Sequence, residues 1–280
     1  MRARVALLVA LCASAAHAQL PAPAPPPHDS GLPLPSYWER GVSRPFVAAT
    51  LELGWTYVRP EFAVGFGRPF HRWMGLDLKP IVTTTGAGFY GGLRGSVPFF
   101  DLRAGVRHFE AFEHRLLPEQ EHHGRAELDT PRGPEPEAYS VESEVSGSIA
   151  VPGGGPFWLA GVYYLSNVKQ GYHLYEESLK VIVDPPWVFR LRSGYAWQFG
   201  PRDALRLGIA EEILENPGRP GYVIRAGVIG GAAIGDNLDV QLSLLPVIHS
   251  PDSLGLAGAD FGHLGVRWRW ATAGPRRRRR

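Results

Sequence analysis

Few side chains in this sequence have the spacing that catalysis or metal binding requires. Glu121, His122 and His123 are adjacent and could contribute to a metal site, but no third ligand follows at helical or hairpin spacing. His173 with Glu176 has the same limitation. No His-x-Ser or comparable pairing falls on neighbouring outward positions of a strand, where it could activate a nucleophile. We therefore predict that the chain has no catalytic residues, binds no metal and no cofactor, and is not an enzyme.

Charged side chains carry more information, because they recur at alternate positions of otherwise apolar segments. Alternate residues of a β-strand share one face, so these charges would lie together on one side of a sheet. Buried charges must be paired, and one interpretation is a self-neutralising network that fills a narrow interior. The other interpretation is a water-filled lumen with surplus positive charge, which would be a weak filter for anions. The residues concerned are Arg94, Arg103, Arg107, Arg190, Arg192, Arg206, Arg225, Arg267, Arg269, Glu52, Asp77, Glu142, Glu144 and Asp239.

Strand periodicity extends through most of residues 45–270 and organises these charges. In the last segment Val266, Trp268 and Trp270 alternate with Arg267 and Arg269, so one face is apolar and the other is basic. Eleven segments show this alternation, and short turn signals rich in glycine and proline separate them. Strands joined by tight turns are antiparallel neighbours, so the pattern predicts an antiparallel meander.

A closed membrane barrel and a soluble sandwich both fit such a meander, because each places apolar residues on one face of every strand. Three features favour the barrel. The tryptophans fall at or near strand ends, an export signal precedes a cysteine-free body, and no long amphipathic helix interrupts the strands. A bilayer tolerates no open sheet edge, so a spanning sheet must close. We therefore predict an all-β fold, an antiparallel up-and-down transmembrane β-barrel.

The chain resembles bacterial outer-membrane β-barrel proteins, and the resemblance rests on residues 262–270. This final strand alternates and ends in an aromatic residue, and it is similar to the signal that such proteins present to the barrel-assembly machinery, here Val266, Trp268 and Trp270. The resemblance implies Sec-type export and insertion into the outer membrane of a Gram-negative bacterium. It also implies outer-membrane lipids and the assembly machinery as partners. One departure is that residues 271–280 follow the aromatic residue that usually ends the chain.

Barrels of this kind have an even number of strands, so the eleven segments must be corrected by one. We prefer twelve strands, with ten as the alternative. The ambiguity lies in residues 43–86, where Gly67-Arg68-Pro69 could be another turn and residues 59–66 part of an extra strand.

A last strand that descends to the periplasm makes the turns near 98, 153, 201 and 235 periplasmic. Loops 113–137, 168–186, 216–220 and 250–260 are then extracellular, and we predict that 113–137 is the main functional loop, which could fold inward and constrict a pore or could equally remain outside.

The flanking segments limit the remaining possibilities. Residues 1–18 have the features of a signal peptide, 19–42 of a proline-rich periplasmic leader, 43–270 of the barrel and 271–280 of a basic tail. The only cysteine, Cys12, lies in the signal, so the mature chain has neither a disulfide framework nor a thiolate metal site. Without the two arginines of the signal and the five that end the chain, 22 basic side chains accompany 27 acidic ones, which does not favour nucleic-acid binding.

Two functions fit these observations. One is a narrow passive channel with an arginine-rich lumen that favours small anionic solutes. The other is a closed structural or surface-interaction barrel that acts through its extracellular loops. The identity of a solute and the oligomeric state are not indicated by any pattern in the sequence.

Overall fold

A computed structural model describes residues 38–54, 56–112, 114–130, 133–200, 203–261 and 265–273. The predicted signal peptide, almost all of the predicted leader and most of the basic tail lie outside these residues. So does Trp55, one of the tryptophans that the sequence places at a strand end.

The chain is built almost entirely of β-strands, as the alternation predicts. Beside them are one short helix, α1 (Arg125–Leu128), and 3-10 turns at Trp38–Arg40 and Gly255–Gly258. In the part of the chain that the structure describes, no helix is long and apolar enough to cross a membrane. The strands are β1 (Arg44–Gly54), β2 (Tyr57–Arg68), β3 (Arg72–Thr83), β4 (Gly86–Val97), β5 (Phe100–Ala111), β6 (Leu117–Pro118), β7 (Glu137–Ser148), β8 (Gly154–Ser166), β9 (Tyr172–Glu176), β10 (Val181–Val183), β11 (Trp187–Phe199), β12 (Leu205–Glu215), β13 (Tyr222–Ala233), β14 (Leu238–Leu244), β15 (Val247–His249) and β16 (Gly265–Ala271).

Twelve of these strands form a closed antiparallel barrel. Neighbours in sequence are neighbours in the sheet, and β16 closes the ring by pairing with both β1 and β14, with Leu51 opposite Trp268. The predicted fold class and the preferred number of twelve strands are confirmed. The strand that the sequence left ambiguous is β2, and the turn that follows it spans residues 69–71. Strand β15 continues β14 beyond an irregularity and pairs with β13, and β6, β9 and β10 form a separate small sheet.

The barrel is apolar outside and polar inside, the reverse of a soluble protein. On β4, for example, Leu93 points outward and is 65% exposed, whereas the next residue, Arg94, points inward and is 5% exposed. On β11, the outward residues Trp187 and Trp197 are ten residues apart, which corresponds to about 26 Å along the barrel axis at roughly 3.4 Å per residue and a tilt of about 40°. This matches the apolar band of about 25 Å, flanked by aromatic girdles, that a membrane-spanning barrel requires. The class-level resemblance to outer-membrane β-barrel proteins is confirmed.

The two ends of the barrel differ in the length of their connections. One end carries the connections 69–71, 98–99, 149–153, 200–204 and 234–237, and we call it the short-turn end. The other end carries the connections 112–136, 167–186, 216–221 and 250–264, together with tight turns at 55–56 and 84–85, and we call it the long-loop end. This division agrees with the alternation of short turns and long loops that the sequence predicts.

Candidate functional site: an ion-paired lumen and a cavity at the long-loop end

The structure places the sequence-predicted lumen residues inside the barrel. All nine arginines and five carboxylates named above belong to the inward phase of their strands. Inward strand residues that the prediction missed include Arg59, Glu61, Lys79, Asp101 and Glu212. The proposed assembly residues Val266, Trp268 and Trp270 point outward and are 40%, 42% and 45% exposed.

Glu212 is the centre of the largest charge cluster. Its carboxylate lies 2.7 Å from Arg190, 2.6 Å from Arg192 and 2.6 Å from Arg225, and the side chain is 1% exposed. Arg192 also contacts Asp260, 2.5 Å away, which brings a loop of the long-loop end into the network. Glu212 is absent from the set predicted from the sequence, yet the alternation of β12 continues to Glu215 and places Glu212 inward.

Glu144, on β7, extends this cluster along the wall to β5. It pairs with Arg103 on β5 and accepts a hydrogen bond from the Tyr163 hydroxyl, and Arg190 Nη1 lies 3.5 Å from it. Arg107 pairs with Glu142 at 2.8 Å. Glu142 is the next inward residue of β7 after Glu144 in the direction of the long-loop end. These contacts run along the inner wall and link the neighbouring strands β5, β7, β8 and β11.

Two further clusters lie on the other side of the lumen. In one, Arg94 Nε donates to Asp101 at 3.0 Å, and Lys79 lies 3.4 Å from Asp77 and 3.5 Å from Glu61. In the other, Asp239 lies 2.7 Å from Arg269 and 3.3 Å from Arg267, close to the short-turn end. On the described strands, the inward cations that are buried or half-buried number eleven and the inward carboxylates eight. The cations are Arg59, Lys79, Arg94, Arg103, Arg107, Arg190, Arg192, Arg206, Arg225, Arg267 and Arg269, and the carboxylates are Glu52, Glu61, Asp77, Asp101, Glu142, Glu144, Glu212 and Asp239.

Aromatic side chains occupy the interior of the short-turn end. Trp38, on the 3-10 turn that precedes β1, packs edge-to-face on Phe70 with ring centroids 4.8 Å apart. Phe46 makes the same kind of contact with Trp73 at 5.5 Å. These four side chains, which we call the aromatic plug, are each no more than 5% exposed. Side chains that border an aqueous passage keep exposed surface, so water does not surround the plug.

At the long-loop end, the hairpin of β9 and β10 turns into the barrel. Arg225, on the inner wall, donates to the backbone carbonyls of Leu179 and Lys180 at the hairpin tip, at 2.8 and 2.9 Å, and to that of Gly258 at 2.6 Å. Apolar residues of the hairpin pack on the inner wall formed by the upper parts of β8, β11, β12 and β13. This cluster contains Leu174, Leu179, Val181, Val183, Leu165, Val188, Leu214 and Val223.

This arrangement distinguishes between the two positions that the sequence allows for the loop at 113–137. That segment is not the element that enters the barrel, and it contains β6 and α1, which the sequence did not indicate. Strand β6 pairs with β9, and Leu128 on α1 packs on Tyr175 and Ile182 of the hairpin. The segment therefore covers the outer side of the hairpin, because its apolar residues pack on the hairpin. The inner wall of the barrel is already covered by the hairpin itself.

The histidines considered as metal ligands instead join four loops. Nε2 of His123 lies 2.9 Å from Nδ1 of His173, and Asp252 accepts hydrogen bonds from the His123 backbone N–H at 2.9 Å and from Arg219 at 2.6 Å. Burial and the nearby Arg219 guanidinium lower the pKa of both histidines below the ordinary value. His122 contacts the carbonyl of Pro251 instead. Among the residues that the structure describes, no group of three potential ligands comes together.

Glu176, considered together with His173, takes no part in this junction. It is buried beneath the loops and accepts hydrogen bonds from the backbone N–H and hydroxyl of Ser178, at 3.1 and 2.6 Å. Burial raises the pKa of its carboxyl group. Its contacts hold the turn of the hairpin.

A cavity of about 720 Å³ remains beside the hairpin. Its floor contains Arg103, Arg190 and Arg192, and one wall is formed by residues of β2 to β4, including Tyr57 and Tyr90. The opposite wall is the hairpin tip, residues 177–180. The rim is formed by the tight turns at 56 and 83–85 and by the loop that contains α1. The cavity thus extends from the long-loop end into the middle of the barrel.

The wall beside Tyr90 depends on two glycines. Gly92 and Gly105 face each other on β4 and β5, and the Tyr90 ring lies over them. A Cβ atom on Gly92 would lie 2.5 Å from the Tyr90 hydroxyl, and one on Gly105 would lie 2.8 Å from the ring. Both positions therefore require glycine, because any side chain would push the ring into the cavity.

Comparisons with known proteins add little to this geometry. No family model and no curated protein matches the chain. Among solved structures, it is similar to OmpTdeltaL8, a loop L8 deletion mutant of OmpT, an outer membrane protein of Vibrio cholerae. The identity is 9%, the match covers 82% of this chain and 100% of that chain, and the TM-score is 0.33. A similarity of this size carries no argument about function.

Proposed function

We propose that the protein is an outer-membrane β-barrel that is closed to free diffusion and acts at its long-loop end. The observation that carries this proposal is the burial of the lumen toward the short-turn end. Arg94, Asp101 and Asp239, which would line a passage there, are each about one-twentieth exposed (5%, 6% and 5%). A barrel of twelve strands is intermediate between filled and open barrels, so the side chains inside decide which it is.

The proposal is tested by conductance in a planar lipid bilayer. The purified full-length protein should give no conductance steps above background, because paired charges and the aromatic plug exclude a continuous water column. Steady steps from the wild-type protein would refute the proposal. Heat-modifiable migration of the same preparation on a gel should accompany the experiment, since it reports that the inserted barrel is folded.

The orientation is tested on intact cells. Arg125 lies on α1 at the long-loop end, and its side chain is 50% exposed. If the long loops face the outside, trypsin added to intact cells should cleave after Arg125 and leave the barrel protected. Cleavage only after the outer membrane is permeabilised would place the long loops in the periplasm.

A narrow channel for small anions is the second candidate. It is favoured because one residue of the aromatic plug, Trp38, is not part of a barrel strand. Trp38 lies on a single 3-10 turn outside the barrel strands, so it can leave the lumen without breaking the sheet. Replacing Trp38 and Phe70 by Ala should then produce conductance steps with an anion-selective reversal potential. The control is Phe66→Ala, an outward aromatic residue that is 56% exposed. If the double variant gives no conductance steps, the narrow channel is refuted and the closed barrel that acts at its long-loop end is retained.

A further inference from the structure

We infer that the cavity at the long-loop end is a binding site for a small organic polyanion, a molecule with at least two carboxylate or phosphate groups. This inference rests on the proposed function, since it names the class of ligand that the long-loop end would take. It follows from the charges around the cavity, from where their partners lie, and from the size of the space.

The first observation is the balance of charge on the lining. Ten cationic side chains line the cavity and only five carboxylates do, an excess of five positive charges. The cations are Arg59, Lys79, Arg103, Arg107, Arg115, Arg125, Lys180, Arg190, Arg192 and Arg225, and the carboxylates are Asp129, Glu144, Glu177, Glu212 and Asp260. Cations outnumber carboxylates two to one on this lining, and an excess of one sign of charge around a partly enclosed site attracts ions of the opposite sign.

The second observation is that several cations of the lining have acidic partners that do not themselves line the cavity. Arg59 contacts Glu52 at 2.8 Å and Arg107 contacts Glu142 at 2.8 Å, but neither carboxylate lines the cavity. The same holds for the acidic partners of Lys79 and Arg115. The cations therefore border the space while their partners hold them from outside it, so the positions are set before a ligand arrives.

The third observation is a pair of buried polar atoms on the lining. Within the described part of the chain, Nη1 of Arg192 and the hydroxyl of Tyr90 have no hydrogen-bond partner. Buried donors in folded proteins are nearly always satisfied, and an acceptor oxygen on a ligand would satisfy the Arg192 guanidinium at the floor. Arginine also holds carboxylates and phosphates through two parallel hydrogen bonds, which makes it a suitable residue for this position.

The remaining surface and the volume narrow the class of ligand. Ile81, Phe112, Leu159 and Leu256 contribute apolar area between the charged groups, so a carbon skeleton fits better than a bare inorganic ion. The volume of about 720 Å³ lies in the range of roughly 300–1,000 Å³ typical of small-molecule sites.

The test is a calorimetric titration of the detergent-purified, full-length protein with citrate as the probe. Binding should be saturable and should weaken as sodium chloride is raised, whereas sucrose and spermidine should give no signal. The variant Lys180→Gln removes one cation of the lining, and the contact of residue 180 with Arg225 is through its backbone carbonyl, so the hairpin should keep its position. We expect about tenfold weaker citrate binding, the change that corresponds to about 1.4 kcal/mol.

The matched control is Lys169→Gln. Lys169 precedes the same hairpin, but its ammonium group lies over the Tyr172 ring, 5.3 Å from the centroid, and it does not line the cavity. Citrate binding should be unchanged in this variant. If Lys180→Gln proves unstable, Arg115→Gln at the rim replaces it, because its partner Glu135 is largely exposed and needs no compensation.

Absence of citrate binding to the wild-type protein would overturn the inference. So would equal binding by wild type and Lys180→Gln, or binding of sucrose as tight as that of citrate. These outcomes are separate from the proposed function, which is judged by conductance. A protein that binds citrate and conducts ions would refute the closed barrel alone, and one that does neither would refute the anion site alone.

Discussion

Replacing Glu212 by Gln should destabilise the barrel more than Lys180→Gln, Lys169→Gln or Arg115→Gln. The substitution keeps the shape of the side chain and removes the negative charge that three arginines share. Two of these arginines keep another carboxylate, since Arg190 remains 3.5 Å from Glu144 and Arg192 remains 2.5 Å from Asp260. Arg225 retains only hydrogen bonds to backbone carbonyls.

The magnitude follows from that asymmetry. Breaking a buried ion pair by removing one partner costs about 3–5 kcal/mol, because an uncompensated charge stays in a medium of low polarity. Among the described residues, Glu212 is the carboxylate that Arg225 contacts, so its removal should cost an amount in this range, which is about 10² to 10⁴ in the unfolding equilibrium constant. The control is Glu215→Gln on the same strand, an outward and exposed position where the change should stay within about 0.5 kcal/mol.

The assay is urea unfolding of the protein in lipid vesicles, followed by tryptophan fluorescence. The double variant Glu212→Gln with Arg225→Met removes both charges but also the three hydrogen bonds of Arg225 to backbone carbonyls, so its loss of stability should be smaller than the sum of the two single losses. Two results would refute the reasoning. One is a Glu212→Gln variant as stable as wild type, and the other is a double variant whose loss equals or exceeds the sum of the single losses.

Three further predictions concern the outer face, assembly and pH. Leu191→Arg places a charge midway between the two girdles and should cost about 2–4 kcal/mol in vesicle unfolding, whereas Leu191→Met should cost little; equal stability of the two would mean that this face does not meet lipid. Trp268→Ala with Trp270→Ala should leave the protein uninserted in cell fractionation, and deletion of residues 274–280 should not; the reverse pattern would contradict the assigned assembly signal. Because burial and Arg219 lower the pKa of His123 and His173, the four-loop junction favours their neutral forms. Its stability should therefore be full above about pH 6.5 and fall as the pH drops from there toward the lowered pKa values, seen as smaller amide protection factors in residues 167–186 after correction for the intrinsic pH dependence of exchange. Protection factors that acidification leaves unchanged, or that change equally in wild type and in His123→Gln, would contradict this assignment.

Alternation in the sequence was enough to assign the two faces of the barrel. A strand places successive side chains on opposite sides, so Leu191 and Arg192 had to face different environments wherever the strand lay. Alternation alone also fitted a soluble sandwich, and the closed barrel was predicted from the tryptophans at strand ends, the export signal and the lack of a long amphipathic helix, since a sheet that spans lipid cannot keep an open edge. Strand β2 was the weak point, since Pro60, Gly65 and Gly67 interrupt its pattern, and its pairing with β1 and β3 resolved the number of strands.

The partners of the charged residues and the course of the loops could not be read in the same way. Alternation says that Arg225 and Glu212 point inward, but which charges meet depends on the stagger of the strands and on what crosses the lumen. Loops have no periodicity, so the residues 172–183 that enter the barrel gave no signal in advance. Their position is decided by packing, because the apolar side chains of the hairpin match an apolar patch on the inner wall and Arg225 binds the backbone at its tip. The cavity and its excess of cations exist only once those contacts have formed.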